Sequence, residues 1–562
     1  MDADKMEEAA AAHPPEMSEK RRGLIAGPGA ATVLVLVALP LMLLSYLCGN
    51  LAADSVVHLR RFKWSSSSTT PESADRLLGG LLSPDFDEAT CLSRYEASRR
   101  WKQPSPFPVS PYLVERLRRY EANHRRCGPG TAQYQDAVAQ HRSGRRHSAA
   151  ADDRGECRYV VWLPIQGLGN RMLSLVSTFL YALLTGRVVL VDETPEMEGL
   201  FCEPFPGTSW LLPSDFPYKR GFSAESNESY VNMLKNGVVR HDGDGDAAGE
   251  LPPYVYFHLE QIHLRLQNHT FCDEDHRVLD RFDWMILRSD SYFAVALFLV
   301  PAYRAELDMM FPAKGSVFHL LGRYLFHPGN RVWGIVERFY DGYLAAADER
   351  LGIQVRIVPQ MAVPFEVMYE QIVRCTREHG LLPRVTNTSE PAGVRPSSSS
   401  AKVKAVLVVS LKREYYDKLH GVFYTNATAA SGGGGGGGEE VVAVYQPSHD
   451  GDQHTEARAH NERALAEIYL LSFCDRVVTT AWSTFGYVAH ALAGLRPWML
   501  APLDWDKMRA DVACVRPASV EPCLHSPPPL VCRARQDDLD PVARVPFLRH
   551  CEDVPAGLKL FD

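Results

Sequence analysis

The chain has 562 residues, of which 46% are hydrophobic and 23% charged, and its formal net charge is −8. That length is too great for one ordinary core and implies two domains of catalytic size with appendages. The negative balance lacks the basic footprint that nucleic-acid binding requires, so no nucleic-acid partner is expected.

No charged residue occurs between Arg22 and Asp54, and residues 31–48 form an apolar run long enough to span a bilayer. Lys20, Arg21 and Arg22 precede it, which keeps the short N-terminal arm cytosolic. The expected layout is a cytosolic tail at 1–22, a transmembrane signal-anchor at 23–50 and a flexible stem at 51–76. A cleaved signal peptide is the competing reading, but the run is longer than a usual signal core and no tidy cleavage site follows it. The stem holds Ser65 to Ser68, Thr69, Thr70 and Pro71, a composition that cannot bury enough apolar surface to order itself. Everything beyond it is then lumenal or extracellular. Eleven of the twelve cysteines lie past the span, which suits an oxidising compartment. Their odd number implies a free thiol or an intermolecular bond. N-glycosylation sequons begin at Asn227, Asn268, Asn387 and Asn426.

Core-like sequence begins near Leu77, and residues 112–123 have the spacing of an amphipathic helix. Residues 159–192 then read YVVWLPIQGLGNRMLSLVSTFLYALLTGRVVLVD. An apolar run meets a turn containing Gly167 and Gly169, a helical segment follows, and a β-branched run ends at Asp192. This is one βαβ unit. Asn170 and Arg171 stand where the turn enters the helix, so amide, guanidinium and helix end can face an anion there. Asp290 follows the apolar strand in WMILRSDSYF, where it either caps structurally or orients an acceptor hydroxyl. Two α/β regions are expected, at 77–345 and 346–562. Strands in the second are placed at 353–358, 405–411, 441–445 and 476–480, with a helix at 461–471. Arg356 is a charge inside the first of these strands, which either meets a carboxylate or projects toward an anionic ligand. Insertions at 396–400 and 432–438 are low-complexity loops. In TTAWSTFGYVAHAL from Thr479, Ser483 or Thr484 caps a helix and Gly486 admits close backbone approach. The segment is either an ordinary capped helix or a diphosphate site.

Two serial α/β regions with a cleft between them suit a nucleotide-sugar enzyme, because ligands bind beyond the carboxyl ends of parallel strands. Asp242, Asp244 and Asp246, and likewise Asp450 and Asp452, lie in glycine-rich stretches and read as solvated loops, so no metal is expected. Arg356, Arg171 and a helix N-terminus then supply the positive charge for a departing nucleoside diphosphate. No G-x-S-x-G elbow is present, and His319, His327 and His490 read as core or loop histidines.

Long passages carry a resemblance. They include FDEATCLSRYEASRRW from Phe86, LRRYEANHRRCGPGT from Leu117, GLGNRMLSLVSTFLYALLTGRVVLVD from Gly167 and LFCEPFPGTSWLLP from Leu200. GIQVRIV from Gly352, ALAEIYLLS from Ala464, VTTAWSTFGYVAHALAGLRPW from Val478 and CLHSPPPLVC from Cys523 continue it. Here the chain resembles the plant cell-wall fucosyltransferases, the xyloglucan galactoside 2-α-L-fucosyltransferase family. The resemblance implies a variant GT-B glycosyltransferase with two Rossmann-like domains facing a cleft, the acceptor on the first and GDP-fucose on the second. It implies a type II Golgi membrane enzyme that needs no metal or other cofactor. The implied reaction moves L-fucose from GDP-β-L-fucose, with inversion, to the 2-hydroxyl of a terminal galactose on xyloglucan or arabinogalactan. Arg356 matches the family arginine on the diphosphate, and Asp290 an aspartate important for activity and acceptor handling. Ser483, Thr484, Phe485 and Gly486 fall in the nucleotide-contacting motif. A homodimer rests on family likeness alone. The alternatives are a catalytically silent Golgi glycan-binding or scaffold protein of this fold, or the same fold with another donor.

Overall fold

A computed structural model describes residues 76–101, 104–143, 157–218, 221–240, 251–262, 271–357, 363–386, 402–428, 440–504, 506–528 and 540–562. The expected tail and anchor, and the stem up to residue 75, lie outside the described residues. So do Asn268, Asn387, the aspartates at 242–246 and both low-complexity insertions. Among the described residues no helix is long and apolar enough to cross a membrane.

Helix α1 (Pro111–Cys127) begins at a Ser110 N-cap whose hydroxyl accepts the Leu113 N–H, with Pro111 in the first turn. It runs longer than its spacing suggested and buries Leu113, Leu117 and Tyr120. The βαβ unit follows as β1 (Tyr159–Leu163), α2 (Leu168–Thr185) and β2 (Val188–Val191). Gly186, in left-handed backbone at φ 66°, ends α2. β3 (Tyr254–Leu259) and β4 (Trp284–Ser289) complete a parallel sheet of order β2-β1-β4-β3. Its strands are buried on both faces. Val160 and Trp162 of β1 join one core and Tyr159 and Val161 another, which explains why they read as continuous apolar runs.

The second sheet has the order β10-β9-β8-β5-β6-β7. Its strands are β5 (Glu349–Val355), β6 (Lys402–Ser410), β7 (Glu440–Tyr445), β8 (Arg476–Thr479), β9 (Trp498–Leu500) and β10 (Cys514–Val515). All neighbours are parallel except β9 and β10. α3 (Arg458–Ser472) and α4 (Thr484–Ala493) flank β8 in the chain. α3 presses closely on β5, where a Cβ on Gly352 would lie 2.7 Å from Leu471. The first strand of this region differs from expectation. β5 starts earlier and stops at Val355, so Arg356 lies just past its carboxyl end rather than inside it.

The two sheets share one core, from Val160 and Phe179 through Leu407 and Ile468 to Leu492. The C-terminal segment also crosses back to the first region. Glu521 accepts from the Tyr292 hydroxyl at 2.6 Å and the Phe318 N–H at 2.8 Å, and Asp562 accepts from Gly315 N–H at 3.1 Å. The boundary near 346 therefore separates the sheets but not their packing.

Disulfides join Cys91 to Cys202, Cys127 to Cys157, Cys375 to Cys514 and Cys523 to Cys551, and Cys272 is also disulfide-bonded. Among the described residues Cys474 is the free thiol, buried beside Gly352. Asn227 is exposed. Asn426 is half-buried and its amide donates to the Val422 carbonyl and the Thr425 hydroxyl, both at 2.9 Å.

Candidate functional site

In the first sheet the strand order reverses between β1 and β4, and such reversals open a crevice beyond the carboxyl ends. Gln166, in left-handed backbone at φ 61°, turns the chain from β1 into Gly167, the N-cap of α2. Asn170, in the first turn of α2, reaches across to β4 and donates its amide to the Asp290 main-chain carbonyl at 3.1 Å. Asp290 is the first residue past β4. Its Oδ1 accepts from the Gln261 N–H at 2.6 Å and the Ser291 hydroxyl at 3.3 Å. Burial pushes its carboxyl above the usual range and the charge of Glu260 adds to this, while those hydrogen bonds oppose.

In the second sheet the reversal falls between β5 and β8. Arg356 follows β5, with its N–H donated to the Thr480 hydroxyl at 3.0 Å. Its guanidinium donates to the Gln453 side-chain carbonyl. Burial lowers its pKa, and among the described residues no carboxylate pairs with it. After β8, Trp482 takes left-handed backbone at φ 58° and donates its N–H to buried Asp553 at 2.9 Å. Ser483 then caps α4 by accepting the Gly486 N–H at 3.2 Å.

These two crevices open into one cavity of about 550 Å³. Gly167, Gly169 and Asn170 line it from the first sheet, and Arg356, Ser483, Thr484 and Phe485 from the second. The helices meet almost end to end: a Cβ on Gly169 would lie 2.7 Å from the Phe485 nitrogen and the Thr484 carbonyl carbon. Gly167 similarly leaves room for Gln453, 2.7 Å from where its Cβ would stand.

Three predicted residues stand elsewhere. Gly486 faces the sheet, where a Cβ would lie 2.9 Å from the Gln354 side-chain oxygen, so it serves close packing of α4. Asp290 sits one hydrogen bond behind Asn170. Arg171, expected to face an anion beside Asn170, turns away and pairs with Glu196 at 3.1 Å, with only 6% of its surface exposed. One step along a helix rotates a side chain by about 100°, so adjacent residues cannot share a face.

The cavity wall also holds residues that the sequence reading passed over. Asp450, read as a solvated loop residue, is half-buried instead. Its Oδ2 is held by His460 at 2.6 Å and Arg463 at 2.7 Å, because the turn after β7 packs on the start of α3. Burial opposes ionisation, but these bonds hold its carboxyl below the usual range. Asp452 is exposed and lies 3.4 Å from Lys412. Glu467 on α3 accepts from the Ser448 hydroxyl at 2.7 Å, and burial pushes its carboxyl up to about 8. A lone carboxylate inside the apolar run of ALAEIYLLS was a usable signal for it. Gln354, Gln453 and His525 carried none. His319 is a satisfied core group, bonded to the Ala491 carbonyl at 2.8 Å and to Ser105 at 2.9 Å. Among the described residues no cluster of three or more His, Cys, Asp or Glu is placed to hold a metal ion.

Residues 53–533 match a family described as xyloglucan fucosyltransferase. The chain is 45% identical over 496 residues to a galactoside 2-alpha-L-fucosyltransferase of Arabidopsis thaliana, covering 88% of this chain and 84% of that protein. It is 44% identical over 491 residues to a protein of the same description from Pisum sativum, covering 87% and 82%. Its fold is similar to that of an Arabidopsis thaliana FUT1 point mutant in complex with GDP, with a TM-score of 0.75 and 45% identity, covering 86% of this chain and 100% of that one.

Proposed function

The chain belongs to the xyloglucan fucosyltransferase family and is a fucosyltransferase using GDP-fucose; from that premise we propose that it transfers L-fucose, with inversion, to the 2-hydroxyl of a terminal galactose on xyloglucan or arabinogalactan side chains. The observation that carries the mechanism is an arginine without a carboxylate partner among the described residues, facing a cavity whose opposite wall is tied through Asn170 to the main chain of half-buried Asp290. The fold is a variant GT-B arrangement, with the donor on the second Rossmann-like sheet and the acceptor on the first.

The diphosphate lies against Arg356 and the first turn of α4, where a guanidinium and N–H groups without intrahelical partners favour an anion. The nucleoside extends toward Asp450 and Glu467. The fucosyl C1–O bond loosens first, and its electron pair leaves with GDP, stabilised by fixed positive charge rather than by a bound ion. The galactose hydroxyl, oriented from the Asp290 side, then forms the new bond on the opposite face of the sugar. That geometry yields inversion. Because bond breaking runs ahead, the hydroxyl loses its proton late, to solvent water, and no strong base is required.

The address is the Golgi membrane, in single-pass type II orientation with the catalytic part lumenal. The apolar run at 31–48 after Lys20, Arg21 and Arg22, and the disulfides, support this.

The test offers GDP-fucose, with EDTA present, to the full chain with galactose-terminated xyloglucan and with arabinogalactan in parallel. An α-linked fucose on O2 of galactose in one polymer, identified by mass spectrometry and NMR, is the expected result. GDP binding without product on either polymer would overturn the acceptor assignment. Absence of GDP binding would favour the silent scaffold, and dependence on added manganese would overturn the metal-free mechanism.

A further inference from the structure

We infer that Asn170 is a positioning residue that holds the acceptor-side aspartate in register with the donor-side helix, so that departure of the nucleotide is coupled to arrival of the acceptor. The inference rests on the fucosyl-transfer reading above and reassigns Asn170 from ligand to link. The Asn170 amide is engaged at both ends. Nδ2 donates to the Asp290 main-chain carbonyl at 3.1 Å, and Oδ1 accepts from the Thr484 hydroxyl at 2.9 Å. One flat group thus spans from the residue past β4 to the first residue of α4. An amide offers donor and acceptor on one planar head, whereas a carboxylate would offer only acceptors and would repel the Asp290 carbonyl.

Two further observations bear on the same contact. Gly169, beside Asn170, lets the first turns of α2 and α4 touch through backbone, with no side chain to accommodate slip. The residue before each N-cap, Gln166 at φ 61° and Trp482 at φ 58°, holds left-handed backbone that non-glycine residues rarely adopt. Strained backbone persists where the surroundings over-determine it, and here it aims both helix ends at one point. Arg356 makes no bond to Asn170, so removal of the amide leaves the cation on the leaving group in place. What is lost is the registration of Asp290 against Thr484. The C1–O bond still breaks with its electrons leaving on GDP, but water then supplies the oxygen that forms the new bond, and free fucose results.

The experiment uses the full chain, its Asn170→Ala, Thr484→Val and Thr484→Ser variants and the Asn170→Ala/Thr484→Val double variant. It measures fucose on polymer, free fucose and, by calorimetry, GDP affinity. Asn170→Ala should lower transfer about tenfold to 100-fold, since small misplacements cost that much. It should raise the ratio of free to transferred fucose and leave the GDP dissociation constant within about threefold. The double variant should transfer no worse than the poorer single one, because the two changes break the same bond. Thr484→Ser should restore coupling. Asn170→Asp, which keeps size and the acceptor for Thr484 but loses the donor to Asp290, should uncouple in the same way and covers the case of an unstable alanine variant. A parallel loss of GDP affinity and turnover in Asn170→Ala would make Asn170 a donor ligand and overturn the inference. An unchanged ratio, or additive losses in the double variant, would overturn it as well. A wild-type chain that binds GDP but fucosylates neither polymer would overturn the activity reading itself; a coupled wild type with coupled variants overturns only the link.

Discussion

Asp290 and Arg356 hold the same topological post in the two sheets, one residue past a strand that borders a reversal of strand order. Their surroundings treat them oppositely. The Asp290 carboxyl is answered locally, by the Gln261 N–H and the Ser291 hydroxyl. The Arg356 guanidinium is answered by a neutral amide, Gln453, and its charge is left facing the cavity. Arg356 is half-buried, and a partly desolvated charge without a counter-charge is tolerated where a ligand completes the pair. The contrast separates a carboxyl whose hydrogen bonds are met within the fold from a cation that, on the proposed function, an anion completes.

The largest expected break is at Arg356. Arg356→Ala should lower turnover by about 100-fold to 1,000-fold, roughly 3–4 kcal/mol of barrier, because a preorganised charge on a leaving group acts mainly in the transition state. Arg356→Lys should recover part of it, since an ammonium keeps the charge but not the fork. Steady-state kcat with saturating acceptor reads this, and a near-normal rate for the alanine variant would dissolve the contrast.

Asp290→Asn comes next, with turnover lowered about tenfold to 100-fold and GDP affinity retained. A collapse of GDP affinity with an intact fold would move Asp290 to the donor side and remove the asymmetry.

The third prediction concerns the contact between the two halves. Gly169→Ala would set a methyl 2.7 Å from backbone atoms of α4, so a loss of about 1–3 kcal/mol in stability is expected. Gly421→Ala is the control, because no atom lies within 4 Å of its Cβ position and it sits in a helix (Glu414–Thr425). There a gain of up to about 1 kcal/mol is expected. Chemical denaturation of both variants compares them, and equal effects would mean that the helix ends do not touch as described.

The smallest effect separates the cavity walls by pH. Burial raises the Glu467 carboxyl from 4.5 to about 8, so the folded chain holds that proton more tightly than the unfolded chain. Its contribution to stability is complete below about pH 4.5 and is lost as pH rises toward about 8. Glu467→Gln should flatten the fall of Tm over that window. Glu521, also raised to about 8 by burial, maintains the remaining slope. An unaltered Tm profile would show that Glu467 is ionised throughout.

Much of this framework was legible in the residues. The βαβ unit was readable because a continuous apolar run, a glycine turn and a buried helix follow one another, and β6, β7 and β8 fall within a few residues of their expected places. β5 was misplaced because Arg356 read as part of the strand, whereas the strand ends one residue earlier, where the cavity begins. Arg171 was misread because proximity to a helix end says nothing of which way a side chain turns; Glu196, from the loop after β2, decides that. Asp450 looked solvated because its glycine-rich surroundings hide that His460 and Arg463 return to it from the next helix.

Local pattern in the chain was sufficient for the alternation of strands and helices, the glycines at turns and Asp290 just past a strand. Those features depend on neighbours within a few residues, where periodicity and steric demand act directly. Which strand ends adjoin, which helix ends touch through Gly169, and that Cys474 is the free thiol among the described cysteines were settled only by the folded arrangement. Strand order and the shared core bring together groups hundreds of residues apart, and no local pattern encodes the distance between Asn170 and Thr484.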